Sequence, residues 1–306
     1  MSPTQKGIPY HTHTLWLFTK NDIKTAVLPQ AIFALGVALS SSSTPSRNAT
    51  NLLSRILLML LWSWLQLLCF NISNQRFPAS VLEDKINKPW RPLAAGRLSV
   101  DEAREWLGVA IYVNVFFSVL LSCLPQWFGG ASASVFPATA ACLVATWCYN
   151  EISPSFCGAA VQKNLDNAVL LGCLGWGSCV VLMGGNEGAE IPVGWLIMTS
   201  AVIATTIHAQ DMEDVEGDMA RNRKTIPLVY GEGWARWSLA FWVLVWSVLC
   251  PAYWSASQFI VWLFPCATGL TIAVLTMTCW DRATDKLVWN LWCLWMCMLY
   301  VLPIFG

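Results

Sequence analysis

Charge is scarce in this chain. Its 306 residues carry 18 Lys and Arg against 18 Asp and Glu, 12% of the total and formally zero net. Neither nucleic acid nor another polyanionic partner is therefore expected. Paired cysteines are missing too. The twelve Cys are scattered, mostly through apolar runs, with no CxxC and no Cys/His cluster. That excludes a disulfide framework and a zinc site and leaves them as small apolar residues. Residues Ser2 to His13 are polar and lack the short apolar core and cleavage site of a signal peptide, so no cleaved leader is expected.

What the chain has is oil. It is 56% hydrophobic with a mean hydropathy of +0.52, too apolar for a soluble globule. Its 19 Trp suit the two interfaces of a bilayer. A bilayer core needs about 20 apolar residues per helix, roughly 17 at the least. By that ruler nine segments are predicted to span, near 25–40, 52–70, 106–124, 134–149, 167–185, 191–208, 234–251, 258–277 and 287–305. The fourth is the weakest because of its Ser, Ala and Pro137; the first contains Pro29, which neighbouring helices can accommodate.

The Lys and Arg positions test that count. With the N-terminus cytosolic, 16 of the 18 fall on its side, Arg47 falls opposite, and Arg55 lies inside the second span. Such asymmetry is what the positive-inside rule expects of the right number of spans. The fold expected is all-α, a polytopic membrane bundle of about nine helices forming a single embedded domain over 1–306. The sequon Asn48-Ala49-Thr50 falls on the far side, too close to a span for ready use.

Two longer loops, 71–105 and 209–233, share the cytosolic side and gather the charge. From Gln210 the chain reads Asp211-Met212-Glu213-Asp214-Val215-Glu216-Gly217-Asp218, five of the 18 acids in nine residues. On a helix Asp211, Asp214 and Asp218 form one stripe, while Glu213 and Glu216 project elsewhere as solvated charges. Bunched carboxylates repel unless a divalent cation lies between them, and Mg2+ takes few carboxylates plus phosphate oxygens. Arg221, Arg223 and Lys224 follow as donors to a diphosphate. In the first loop Glu83 and Asp84 are candidate metal ligands, Lys88 and Arg91 diphosphate donors, and Asn74 or alternatively Asn71 a further polar group. Pro78 separates Asn74 from Ser80, so these two cannot share one undisturbed helix. Each loop ends in a basic run, Pro-Leu and then Gly, four spans apart, as an internal duplication would leave them.

These residues resemble the UbiA superfamily of intramembrane prenyl-diphosphate enzymes. Asp211-x-x-Asp214-x-x-Gly217-Asp218 with Thr225-Ile226-Pro227-Leu228 is similar to its second acidic motif. Asp84-x-x-Asn87-Lys88-Pro89-x-Arg91-Pro92-Leu93-x-x-Gly96 is similar to the tail of its first. Ser80 stands where many members carry an earlier Asp, and Gln210 where many quinone-pathway members carry Lys. Both departures resemble the fungal branch of membrane-bound terpene cyclases. The resemblance implies Mg2+ held by Glu83, Asp84, Asp211, Asp214 and Asp218, with Asp84 and the three motif aspartates catalytic. It implies farnesyl diphosphate as substrate, bound through Asn74, Lys88, Arg91, Arg221, Arg223 and Lys224. The product would be a sesquiterpene hydrocarbon such as bergamotene, a secondary metabolite, made at the endoplasmic reticulum membrane.

A carbocation freed there needs an apolar chamber, and Trp147, Tyr149 and Trp176 are candidate linings. The alternative is a prenyltransferase that delivers the same cation to an aromatic acceptor. A proton- or cation-coupled transporter predicts acids at mid-span depth, whereas these lie at helix ends beside basic loops.

Overall fold

Long apolar runs become long helices, because in hydrocarbon every backbone N–H and C=O must be satisfied within the segment. The computed structural model describes residues 7–40, 49–123, 134–152, 159–184 and 191–306; the Asn48 sequon position and Cys157 lie outside them. In chain order the helices are α1 (Ile8–Thr19), α2 (Leu28–Ser40), α3 (Ala49–Gln75), α4 (Pro78–Asn87), α5 (Val100–Cys123) and α6 (Val135–Trp147). They continue as α7 (Ala159–Met183), α8 (Val193–Thr206), α9 (Ala209–Ala220), α10 (Ile226–Tyr230), α11 (Glu232–Tyr253), α12 (Phe259–Thr278) and α13 (Arg282–Tyr300). No strand occurs among the described residues.

Among the described residues seven helical stretches are long and apolar enough to cross a membrane: Ile23–Ser40, Leu52–Gln75, Val100–Cys123, Ala160–Met183, Glu232–Tyr253, Phe259–Thr278 and Arg282–Phe305. The remaining two predicted spans are also helical, but shorter than the ruler. α6 is extended by a π turn over Cys148–Ile152, and α8 meets the criterion only together with α9, across a 45° bend. Pro29 sits just inside α2, after a π turn over Ile23–Val27 that sends the Leu28 N–H to the Ile23 carbonyl. The wider turn accommodates a residue that has no N–H to give.

α7, the most buried of these helices, packs against α2, α3, α6 and α8. The outer helices run through α3, α5 and α6 on one side and α8, α11, α12 and α13 on the other, and α13 returns to α2. Gly36 permits that closure, since a Cβ there would lie 2.4 Å from the Tyr300 carbonyl oxygen. Several polar side chains inside pair across helices. Gln66 and Asn114 exchange amide hydrogen bonds of 2.8 and 2.9 Å, and Trp62 donates to Thr139 at 2.9 Å. Arg55, read from sequence as an oddity within a span, donates to the Met183 carbonyl at 2.7 Å and so caps the C-terminus of α7.

Arg236 ties three helices together. It grips Asp285 with two hydrogen bonds of 2.7 and 2.8 Å and also reaches the Thr276 and Cys279 carbonyls at the end of α12. Both partners are buried. Arg236→Met leaves a buried carboxylate unpaired, which costs about 3–5 kcal/mol. The expected result is a lower thermal midpoint in detergent, largely restored by adding Asp285→Leu; an unchanged midpoint in the single variant would contradict it.

Candidate active site

The two charged segments meet at one end of the bundle. α3 ends at Gln75, and Pro78, whose missing N–H costs nothing in a first turn, starts α4 after extended Phe77. The predicted break between Asn74 and Ser80 is there. At the other segment the chain bends after α8 and continues as α9, so the aspartate stripe rides on a helix rather than a loop. α4 lies against α9. Gly217 makes that possible: a Cβ at this position would lie 2.2 Å from the Asn87 amide nitrogen. Asn87 donates to the Asp214 carbonyl at 2.9 Å, stitching the two helices.

Across this seam each acid faces a cation. Arg91 donates to Asp84 at 2.8 Å and reaches Asp22 at 3.3 Å. Lys88 is hydrogen-bonded to Asp214, and Lys163, at the start of α7, to Asp211. Glu83 takes Arg221 at 2.8 Å and Arg223 at 3.4 Å. Arg223 also donates to the Tyr149 hydroxyl at 2.6 Å and stands 3.7 Å from Asp218. Burial alone would push the Glu83 carboxyl up; the guanidiniums of Arg223 and Arg221, with Lys88, outweigh it and bring it down to about 2. For Asp84 burial wins over the opposing Arg91, and its carboxyl stays above the ordinary range.

The pairing is incomplete where it matters. Both oxygens of Asp218, Oδ2 of Asp211 and the Ser80 hydroxyl are buried without a hydrogen-bond partner. Unsatisfied buried carboxylate oxygens are hard-donor positions of the kind Mg2+ takes, so the donor chemistry fits that metal. Among the described residues no three His, Cys, Asp or Glu side chains converge on one metal-sized point. Lys163 and Lys88 engage Asp211 and Asp214 instead.

Beside the seam opens a cavity of about 410 Å3 whose walls include Asn74, Tyr149, Lys163, Arg221, Arg223 and Lys224. Asn74 is held there by Asn150 at 2.9 Å. Asn71, the sequence alternative, is committed elsewhere, donating to the Phe18 carbonyl at 2.9 Å. Glu216 pairs with Arg282 at the surface, as a solvated charge should. A smaller chamber of about 80 Å3 lies between the π turn before α2, α3, α7 and the α8–α9 bend, walled by Phe70, Leu170, Leu171, Leu174 and Ile207 with Gln66, Asn167 and Gln210 among them.

Of the three aromatic residues proposed for a chamber, Tyr149 is buried at the cavity wall and Trp176 is half-buried in the main core. Trp147 is corrected: it is 56% exposed and faces outward. Sequence reasoning missed Lys163, Asn150 and Asp22 as members of the site. The local signal for Lys163 was a lone cation among Asn164, Asp166 and Asn167 at the head of an otherwise apolar span.

A profile of the UbiA prenyltransferase family matches residues 27–296. The chain is 32% identical over 292 residues to the fumagillin beta-trans-bergamotene synthase of Aspergillus fumigatus, covering 95% of this chain and 92% of that one. It is 28% identical over 247 residues to a diterpene cyclase of Hericium erinaceus, covering 74% of this chain and 67% of the other. Among solved structures, a UbiA homolog from Archaeoglobus fulgidus bound to DMAPP and Mg2+ superposes with a TM-score of 0.65 at 15% identity, over 94% of this chain and 99% of that chain.

Proposed function

The chain belongs to the UbiA prenyltransferase family, and from that premise we propose that it is a membrane-bound terpene cyclase that ionises farnesyl diphosphate and closes the cation to a sesquiterpene hydrocarbon. The observation that carries this reading is the α4–α9 seam. It sets buried, unsatisfied carboxylate oxygens beside a cation-lined cavity, and the next turns of α3 and α7 line an apolar chamber. A 32% identity to a bergamotene synthase supports the cyclase over the transferase, and bergamotene as the kind of skeleton formed. The motif end faces the cytosol, and the bundle resides in the endoplasmic reticulum membrane as one embedded domain.

Asp211 and Asp218, with Asp84, Asp214 and Glu83 around them, would hold Mg2+ at the rim. Bound there, the metal supplies positive charge to the departing diphosphate. Arg221, Arg223 and Lys224 line the cavity as donors to the diphosphate oxygens, while Lys88 and Arg91, paired with Asp214 and Asp84, bring further positive charge on the α4 side. Donors fixed before the reaction stabilise charge as it develops on the leaving group. The hydrocarbon chain is directed at the apolar side chains of Phe70, Leu170, Leu171 and Leu174, a chamber of about 80 Å3 that must widen to take a farnesyl chain and whose apolar walls offer the cation no nucleophile.

Purified protein in detergent with farnesyl diphosphate and Mg2+ is expected to yield a hydrocarbon by gas chromatography with no acceptor added. Chelating the metal is expected to lower diphosphate release by at least about 100-fold, the scale of losing a main charge stabiliser. Prenylated product formed only when an aromatic acceptor is supplied would overturn the cyclase in favour of a transferase.

A further inference from the structure

Cyclisation ends only when a proton leaves, and something must take it. The amide and hydroxyl groups on the chamber wall, Gln66, Asn167, Gln210 and Thr25, are neutral and far weaker bases than a carboxylate. Asp22 brings a carboxylate to that wall. Among the residues lining the chamber it is the sole carboxylate, and neither His, Cys nor Tyr lines it. Its place follows from local structure: Asp22 is the residue just before the π turn that widens the start of α2, and its own carbonyl accepts the Ala26 N–H at 2.8 Å. The carboxylate is lightly held. Oδ2 meets the Arg91 guanidinium at 3.3 Å, and Oδ1 meets the Asn21 amide at 3.5 Å, the outer limit of a hydrogen bond. The side chain is 27% exposed, and lone pairs remain beyond these two contacts.

Resting on the cyclase reading, we propose that Asp22 is the base that terminates the reaction. A C–H bond beside the cationic carbon breaks, its electron pair closes the new C=C bond, and the proton passes to a carboxylate oxygen of Asp22. Hydrocarbon and diphosphate are then the two products, and Asp22 passes the proton on to water. Arg91 joins this base to the diphosphate side. Its Nη1 donates to Asp84 at 2.8 Å while its Nη2 donates to Asp22 at 3.3 Å, so the group that binds the leaving group also orients the group that collects the proton. The carboxylate stands at the end of the chamber nearest the α4–α9 seam.

The test is the product ratio formed from farnesyl diphosphate and Mg2+ by Asp22→Asn and Asp22→Glu. Only molecules that have ionised enter the ratio of hydrocarbon to terpene alcohol, so it does not depend on how much protein folds. Losing a positioned base costs about 10²–10⁴-fold. The Asn variant is therefore expected to shift that ratio at least about tenfold toward alcohol or toward a misplaced double bond, and Glu to move it back. A wild-type product ratio from Asp22→Asn would overturn the proposal and leave the released diphosphate as the base. A wild-type enzyme that makes no hydrocarbon at all would overturn the cyclase reading beneath it instead.

Discussion

Asp218→Asn is expected to cut diphosphate release by about 10²–10³-fold, the scale on which one main electrostatic stabiliser counts, while leaving the protein at least as stable as before. The two halves of that result have one cause. Asp218 is 1% exposed, and neither of its carboxylate oxygens has a hydrogen-bond partner. Its nearest cation, Arg223, is already engaged by the Tyr149 hydroxyl and by Glu83. A buried, unsatisfied carboxylate is a cost to folding of about 1–3 kcal/mol or more. Replacing it with an isosteric neutral amide, which is cheaper to bury unpaired than a charge, lowers that cost without opening a void. If the residue served only the fold, the same change would be indifferent to turnover. Thermal midpoint in detergent and diphosphate release, measured on one preparation, separate the cases. Loss of stability together with retained activity would show that Asp218 is a structural ion-pair partner of Arg223.

What the sequence disclosed is what depends on neighbours along the chain. Apolar runs marked nine segments as spans and each is helical where described, and the i, i+3, i+7 spacing of Asp211, Asp214 and Asp218 put them on one stripe of α9. Span 191–208 came out short because the helix bends at Ile207 and His208 and carries on as α9; no Pro or Gly marks that bend in the sequence. Helix α1 was not foreseen, for its polar face is satisfied by contacts far away: Tyr10 and Thr14 bond with Arg97, and Asn71 covers the Phe18 carbonyl. Lys163 was hidden for the same reason, since 48 residues separate it from Asp211. Trp147 and Tyr149 could not both face inward. Residues two apart on a helix differ by about 200° in direction, so burying one turns the other to lipid. The buried one is Tyr149, the residue that meets Arg223.

Gly217→Val is expected to lower diphosphate release about 100-fold, the cost of a 1 Å misplacement of a catalytic constellation, although no reacting group is touched. The side chain would be built into the Asn87 amide, whose three heavy atoms lie 2.2, 2.5 and 2.8 Å from an ideal Cβ at this position. Asn87 cannot swing aside cheaply. Its nitrogen donates to the Asp214 carbonyl at 2.9 Å and its oxygen accepts from Arg282 at 3.3 Å. Either those bonds break or α4 moves away from α9. Movement of α4 carries Glu83 and Asp84 with it and draws Lys88 from Asp214, so the acids of the two segments lose their common geometry. Overpacking of this kind also destabilises by about 1–3 kcal/mol. Shortening the obstruction is the control: adding Asn87→Ala to Gly217→Val is expected to restore part of the activity, short of wild type because the bond to Asp214 is gone. Coupling of that sign between two positions 130 residues apart would place the contact itself, rather than either side chain, at the origin of the loss. Additive losses in the double variant would mean instead that the two helices reach their working arrangement through other contacts.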